Sequence, residues 1–236
     1  MKLLSFDIEI SDIFEATPND DFEKYAPFHI SVASTVVHGG EERLWYSVNN
    51  DGQPLLNLDR HNALELLLYM EKMQNEDYMI CAWNGLQFDF RWLGYAANNL
   101  ELAAQIALKS YDPMFQFFNQ SGFPVSLAAV GSAMGIKQKK LMHGSDAPVR
   151  WQEGHYQEVM DYVLMDSRIT NEIVFAIIQR KEVCWVTTKK SIKNVAMPRL
   201  KTVEDIINEP IADQSWMTAP IPKSRFYRWF PDHLRP

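Results

Sequence analysis

The segment Phe6-Asp7-Ile8-Glu9 constrains the fold of this chain more than any other stretch, because it joins two acids to an apolar strand. Residues 1–6 have the composition of a buried strand. Residues i and i+2 of a strand point to the same face, so Asp7 and Glu9 should converge. A buried carboxylate is costly unless it is paired or holds a metal. The pattern predicts a divalent metal site, with oxygen ligands that favour Mg²⁺ or Mn²⁺. The alternative is that Glu9 only marks the exposed end of the strand.

The composition is that of a globular protein. The chain has 236 residues, of which 47% are hydrophobic and 22% are charged. Its net charge of −7 gives no overall basic signature for nucleic-acid binding, although local basic patches remain compatible with it. Cys81 lies in an apolar run far from Cys184, which predicts a buried free thiol and a reducing compartment. With neither a signal peptide nor a long apolar run in view, we expect a cytoplasmic protein without membrane contact.

The order of the sequence patterns indicates an α/β fold. We expect a mixed central sheet, with three antiparallel strands followed by a parallel one, flanked by helices. The strands are predicted at residues 1–6, 28–37, 43–48 and 78–83. The helices are predicted at residues 59–74, 86–98, 100–109, 126–135 and 155–181, the last of them broken or bent near Asp166.

Three segments are harder to interpret from the sequence. Residues 18–21 read as a turn, residues 111–118 as a strand or an irregular aromatic segment, and residues 137–154 as a loop. We predict a main domain at residues 1–183 and a mostly irregular, proline-rich appendage at residues 184–236, with one short helix after Thr202. The appendage would pack on the core through its aromatic residues, which are Trp216, Phe226, Tyr227, Trp229 and Phe230.

Two further acids stand in distinctive settings. Asp89 follows the Asn84-Gly85 turn and is flanked by Phe88 and by another phenylalanine, although a helix-start acid favoured by the macrodipole would look the same. Tyr162 and Asp166 are four residues apart, on one face of the predicted helix. The simpler interpretation of this second pair is a core tyrosine with an accidental acidic neighbour.

Taken together, these three segments resemble the DEDD family of 3′–5′ exonucleases, the DnaQ-like group with a ribonuclease H-like fold. The motif from Asn84 to Asp89 most resembles that of the proofreading domain of family-B DNA polymerases. One subtype has a histidine five residues before the last acid, where this chain has Asp161. The other has a tyrosine four residues before it, which Tyr162 matches, so the chain resembles the DEDDy subtype. With no polymerase domain following, we expect a stand-alone nuclease.

The resemblance implies a two-metal mechanism with Mg²⁺ or Mn²⁺. Asp7 would bridge two divalent ions, Glu9 and Asp166 would complete the site that activates water, and Asp89 would hold the second ion directly or through its waters. Tyr162 would orient the attacking water by a hydrogen bond. The catalytic set is therefore Asp7, Glu9, Asp89, Tyr162 and Asp166.

The substrate expected from the resemblance is a single-stranded DNA 3′ end. The candidate substrate-binding residues are Asn84, Phe88, Lys137, Lys139 and Lys140, since aromatic rings stack on bases and cations contact phosphates. For the aromatic residues of this region, including Phe90 and Trp92, core packing is the simpler interpretation. Two alternatives stay open: a 3′–5′ exoribonuclease on the same site, and a nucleic-acid-binding protein without turnover. A haloacid-dehalogenase-like phosphatase is rejected, because that family requires an aspartate at position 9.

Overall fold

The computed structural model describes residues 1–15, 17, 22–137 and 142–235. The turn predicted at residues 18–21 lies outside this part of the chain. Four strands form the main sheet: β1 (Lys2–Ile10), β2 (Ile30–Val37), β3 (Glu42–Trp45) and β4 (Tyr78–Cys81). Their order is β3-β2-β1-β4, with β1 and β2 antiparallel, β2 and β3 antiparallel, and β1 and β4 parallel. The predicted mixed sheet flanked by helices is confirmed.

One helix lies between β3 and β4, and the other helices follow β4 along the chain. The helices are α1 (Arg60–Asn75), α2 (Asp89–Ala96), α3 (Leu100–Lys109), α4 (Pro113–Ser121), α5 (Leu127–Met134), α6 (Ala147–Gln152), α7 (Tyr156–Arg180) and α8 (Val203–Ile207). Short 3₁₀ turns occur at Phe22–Tyr25, Gly144–Asp146, Lys223–Phe226 and Asp232–Leu234. No helix among the described residues is both long enough and apolar enough to cross a membrane.

The two faces of β1 pack against different layers. Phe6, Ile8 and their neighbours on one face enter the main hydrophobic core with α1 and α2. The opposite face meets α7 through polar contacts, because Ser5 Oγ donates to Asn171 Oδ1 at 2.8 Å and Ser34 Oγ of β2 donates to the Val163 carbonyl at 2.9 Å. This seam fixes α7 against the sheet on the face that carries Asp7 and Glu9.

Side-chain caps set several helix boundaries. Asp59 accepts from Asn62 N at the start of α1, and Ser126 accepts from Ala129 N at the start of α5. Gly135 ends α5 with φ of 76°, a left-handed conformation that glycine adopts without a steric penalty. The predicted start of α1 and the predicted extent of α5 are therefore confirmed.

Four predictions about local structure are wrong. Residues 111–118 are neither a strand nor irregular: α4 starts at Pro113 because Asp112 caps it and proline suits the first helical turn. Residues 137–154 include α6 rather than only a loop. The predicted break near Asp166 is absent, because α7 is continuous from Tyr156 to Arg180. A two-stranded hairpin, β5 (Glu182–Val186) and β6 (Ile192–Ala196), follows it where irregular chain was expected.

The last fifty residues contribute apolar side chains to the main core. Phe226 and Phe230 are buried there, as are Val203 and Ile206 of α8, which begins after a capping box at Thr202. Trp229 is also buried, and its indole N–H donates to the Leu86 carbonyl at 2.7 Å. Trp216 is different from these aromatic residues, because it remains 63% exposed. Whether the chain divides into domains near residue 183 stays a prediction.

Candidate active site and metal centre

Three carboxylates from β1 and α7 converge. One carboxylate oxygen from each of Asp7, Glu9 and Asp166 lies within 4.8 Å of the other two. Asp7 and Glu9 share a face of β1, and α7 brings Asp166 to that face from a distant part of the sequence. Glu9 and Asp166 are buried, and Asp7 is half-buried. The predicted convergence of these three acids is what the structure contains.

A β-bulge lies beside Glu9. Glu9 pairs with Val32, whereas Ile10 pairs with Ile30, so Ser31 is an additional residue in β2. The hydroxyl of Ser31 donates to the Glu9 carbonyl at 3.0 Å. Bulges increase the local twist and redirect neighbouring side chains, and they are frequent next to functional sites. This bulge lies at Glu9, the second acid of β1.

Asp89 is hydrogen-bonded to β1 between the two acids of that strand. It is the first residue of α2, and its Oδ1 accepts a hydrogen bond from the backbone N–H of Ile8 at 3.1 Å. Ile8 lies between the two acids of β1, so this bond ties Asp89 directly to them. Burial raises the pKa of Asp89 to about 8, and the negative charges of Asp112 and Asp166 contribute to the increase.

The loop before Asp89 is held by a carboxylate that sequence reasoning did not identify as part of the site. Asp112 accepts from Asn84 N at 3.1 Å and from Leu86 N at 3.0 Å while it caps α4. Burial raises the pKa of Asp112 to about 6. The local signal was present, because an aspartate before proline is typical of a helix start. Its contact with residues 84–86 depends on tertiary structure.

The turn itself needs a glycine. Asn84 has φ of 63°, which is left-handed, and a Cβ added at Gly85 would lie 2.3 Å from Ala82 Cβ. No side chain fits at that distance, so the turn after β4 depends on Gly85 for its close approach. The Asn-Gly sequence thus explains why the chain reverses tightly enough to start α2 at Asp89.

Tyr162 lies one helical turn before Asp166, and its side chain is 1% exposed. Burial raises the pKa of its phenol above the usual range, and the nearby carboxylates of Glu9, Asp166 and Asp7 add to that effect. A hydrogen bond to the side chain of Asp166 acts in the same direction. The phenol is therefore protonated at neutral pH, in contact with the carboxylate cluster.

The chemistry of these side chains fits a divalent cation. Four acids placed within one site repel each other and lose hydration when buried, which a dication would offset. Carboxylate oxygens are the ligands that Mg²⁺ and Mn²⁺ prefer. The three converging acids can hold an ion between them, and Asp89 is close enough to influence the same centre electrostatically.

A cavity of about 600 Å³ opens onto the carboxylates. Its lining includes the four acids, Tyr162, Asn84 and Phe88, and a wall formed by residues 124–127. Trp83 also lines it, and its indole N–H donates to the Val125 carbonyl at 3.2 Å. Phe90 and Trp92 are buried in the core, as the simpler interpretation predicted.

Of the three predicted lysines, Lys137 is the one that falls within the described residues. Lys137 is exposed after α5 and is not among the residues lining the cavity. Lys139 and Lys140 lie outside the described residues. Asn84 and Phe88 do line the cavity, and two other acids of α7, Glu158 and Asp161, are exposed.

Comparison with known protein families identifies the superfamily. A family model described as the RNase_H superfamily matches residues 30–173, which is more than half of the chain. The chain belongs to the RNase_H superfamily. The matched region contains Asp89, Tyr162 and Asp166, whereas Asp7 and Glu9 precede it. No curated protein matches the sequence.

A solved structure supports the same fold. The family B DNA polymerase from the hyperthermophilic archaeon Pyrobaculum calidifontis is similar with a TM-score of 0.52 and 14% identity. The similarity covers 75% of this chain and 24% of the polymerase, so the chain corresponds to about a quarter of the polymerase's length. At this level of identity the likeness concerns the fold.

Proposed function

We propose that this protein is a metal-dependent 3′–5′ exonuclease of the DEDDy type that degrades single-stranded DNA and releases nucleoside monophosphates. The observation that carries the proposal is the convergence of Asp7, Glu9 and Asp166 within 4.8 Å, at a cavity that Asp89 and Tyr162 also line. Membership of the RNase_H superfamily supports a nuclease. The finer assignment rests on the resemblance of the three motifs to the DEDD exonucleases.

The four acids would hold two divalent ions, Mg²⁺ or Mn²⁺. Asp7 would contribute to both ion positions, Glu9 and Asp166 to one, and Asp89 to the other directly or through its waters. When bound, such ions activate water and neutralise the charge that develops on the phosphate and on the leaving oxygen. The acids would hold the ions in fixed positions, because β1, α2 and α7 are packed against each other.

Tyr162 would position the attacking water by a hydrogen bond at its phenolic oxygen. A phenol has an ordinary pKa of about 10, so it remains protonated at neutral pH and is better suited to orientation than to removing a proton. The ring is held by the packing of α7 against the sheet. This packing would keep the hydroxyl of Tyr162 in a fixed position beside the acids.

We expect an unpaired strand as substrate, rather than a duplex. The wall of the cavity includes Phe88 and Trp83, and aromatic rings are the groups on which unpaired bases stack. A 3′ end would enter with its terminal phosphodiester at the carboxylates. RNA is the alternative substrate of the same site, because its phosphodiester differs from that of DNA only in the neighbouring 2′-hydroxyl.

The direct test is a time course with matched single-stranded DNA and RNA oligonucleotides labelled at the 5′ end. The reactions contain Mg²⁺, Mn²⁺ or EDTA. We expect a ladder that shortens one nucleotide at a time with either ion and no cleavage in EDTA. A 3′-phosphorylated or otherwise blocked oligonucleotide is the control for direction.

Three results would contradict parts of the proposal. Faster degradation of RNA would assign the exoribonuclease alternative. Release of a labelled mononucleotide at the start of the reaction would reverse the polarity. Tight binding without cleavage of either substrate, in the presence of both ions, would favour a binding protein without turnover.

A further inference from the structure

An exposed tryptophan stands out on the surface of the last fifty residues. Trp216 is 63% exposed, although it belongs to a segment whose other large aromatic rings are mostly buried. It is also fixed in place: its indole N–H donates to the Asp213 carbonyl at 3.1 Å, and Ser215 donates through N and Oγ to the Asp213 carboxylate at 2.9 and 2.8 Å. A ring held this way loses little conformational entropy when a ligand stacks on it.

Trp216 packs against Phe123, which is next in sequence to the wall of the cavity. Its ring lies 6.0 Å from that of Phe123 in an edge-to-face arrangement, and Phe123 directly precedes the cavity wall at residues 124–127. The backbone nearby is docked as well, because Ala212 N donates to the Asn119 carbonyl at 2.9 Å. The exposed indole is therefore one ring away from the cavity wall.

The β5–β6 hairpin adds cations to the same surface. Trp185 of β5 lies 6.0 Å from Phe123, and Lys193 is paired with Trp185 across the hairpin. Directly paired residues point to the same face, so Lys193 projects on the side that faces this aromatic cluster. Lys189 and Lys190 are exposed in the connecting turn, and none of the three lysines forms an ion pair within the described part of the chain.

We infer that Trp216 and the hairpin lysines Lys189, Lys190 and Lys193 form a binding platform for single-stranded nucleic acid, upstream of the 3′ end held in the cavity. A base stacks on Trp216, and the lysines contact phosphates of the same strand. Aromatic rings combined with nearby cations are how proteins bind single strands without reading their sequence. This inference rests on the proposed exonuclease function and extends its substrate site beyond the cavity.

Charge favours a nucleic acid over a protein partner on this surface. The chain carries a net charge of −7, so a local group of lysines that forms no ion pair among the described residues is suited to a polyanion. A protein interface centred on Trp216 would more commonly surround it with apolar residues. In the test below, unchanged binding of the long strand by Trp216→Ala would favour that alternative.

The test measures binding by fluorescence anisotropy, using a labelled long oligothymidylate and a labelled trinucleotide. Ca²⁺ replaces Mg²⁺ so that the probe is not consumed. For Trp216→Ala we expect the Kd of the long strand to rise roughly tenfold, as for the removal of one stacked base. Trp216→Phe should stay within about threefold of the wild type, since a smaller ring still stacks. The trinucleotide, which reaches only the cavity, should bind both variants equally.

Two controls accompany these variants. Tyr95→Ala removes another exposed aromatic ring, on the last turn of α2, and should leave both values of Kd unchanged. A triple variant replaces the hairpin lysines: Lys189→Gln, Lys190→Gln and Lys193→Gln. For the long strand, the slope of log K against the logarithm of the salt concentration should become shallower by about 2, because each phosphate that is no longer neutralised removes roughly 0.7 from the slope.

The outcomes separate this inference from the proposed function. If the wild type degrades single strands but Trp216→Ala binds the long strand as tightly as the wild type, the platform is wrong and the exonuclease assignment stands. If the wild type neither binds nor cleaves any strand, both are wrong. An unchanged salt dependence in the triple lysine variant would exclude the hairpin from the platform.

Discussion

At the scale of single residues, Asp7 is the acid on which the proposed metal centre depends most. It shares a face of β1 with Glu9 and lies within 4.8 Å of the Asp166 carboxylate. Without metal, these charges repel each other, and with metal each becomes a ligand. Neutralising Asp7 should therefore relieve repulsion in the metal-free protein and, at the same time, weaken metal binding.

For Asp7→Asn we expect no loss of thermal stability in EDTA, because one of several like charges is removed. Mn²⁺ at 100-fold above its Kd should stabilise the wild type by about 2.7 kcal/mol, and most of this gain should disappear in the variant. Thermal unfolding with and without Mn²⁺ measures both effects. Asp161→Asn, on the exposed side of α7, is the matched control. An equal response to Mn²⁺ in Asp7→Asn would remove Asp7 from the centre.

Tyr162 allows orientation of water to be separated from metal binding. Phenylalanine keeps the buried ring and removes only the hydroxyl, so Tyr162→Phe should fold normally. We expect kcat to fall roughly tenfold to a hundredfold, because that is the change in rate that corresponds to the free energy of one hydrogen bond to a charged partner. The affinity for Mn²⁺, measured by calorimetry, should be nearly unchanged. A parallel loss of affinity would instead make Tyr162 a structural support for the ligands.

At the scale of secondary-structure elements, Asp112 connects the start of α4 with the turn that leads to Asp89. Asp112→Asn keeps the shape but places an amide N–H₂ against one of three backbone N–H groups. We expect unfolding in urea to become easier by about 1–3 kcal/mol and kcat to fall because Asp89 is less well placed. Asp59→Asn, at the cap of α1, is the control, since asparagine caps helices as well as aspartate does. Unchanged activity in a destabilised Asp112→Asn would limit Asp112 to a structural role.

Sequence patterns identified the elements best where a local signal set the boundary. Asp59, Asn99 and Ser126 each accept a backbone hydrogen bond at a predicted helix start, and these bonds involve residues only three positions away. The same signal at Asp112 was masked by the aromatic residues around it. The β5–β6 hairpin was missed because its second strand is mostly exposed and its apolar residues do not alternate with polar ones, so the pattern that indicates a strand is lacking.

The candidate site could be predicted only in part for a related reason. The convergence of Asp7 with Glu9 follows from strand periodicity, and that of Tyr162 with Asp166 from helical periodicity. The hydrogen bond from Ile8 N to Asp89, the bulge at Ser31 and the contacts of Asp112 join segments far apart in sequence. Such contacts depend on how the layers pack, which no local pattern specifies.

At the scale of the whole molecule, the last residues of the chain belong energetically to the main core. The rings of Phe226 and Phe118 of α4 lie 4.6 Å apart, and Trp229 donates to the Leu86 carbonyl in the turn before Asp89. These contacts connect the end of the chain to the loop that supports the candidate site. Removing them should therefore affect the stability of the entire fold.

Phe226→Ala should destabilise the protein by about 3–5 kcal/mol, because it leaves a cavity between α4 and the end of the chain. Trp216→Ala removes a similar aromatic group from the surface and should change stability by no more than about 0.5 kcal/mol. Urea unfolding followed by circular dichroism compares the two variants. A small effect of Phe226→Ala would indicate that this segment unfolds separately, as an independent appendage.

The most direct test of the metal-dependent exonuclease is a paired time course of the wild type and Asp166→Asn on single-stranded DNA labelled at the 5′ end. Mn²⁺ is present throughout, and EDTA is added to a parallel reaction. We predict a ladder of products, each one nucleotide shorter, for the wild type with Mn²⁺, and intact substrate for Asp166→Asn although its fold persists. The same ladder in both proteins, or in EDTA, would contradict a catalytic metal centre built on Asp7, Glu9, Asp89 and Asp166.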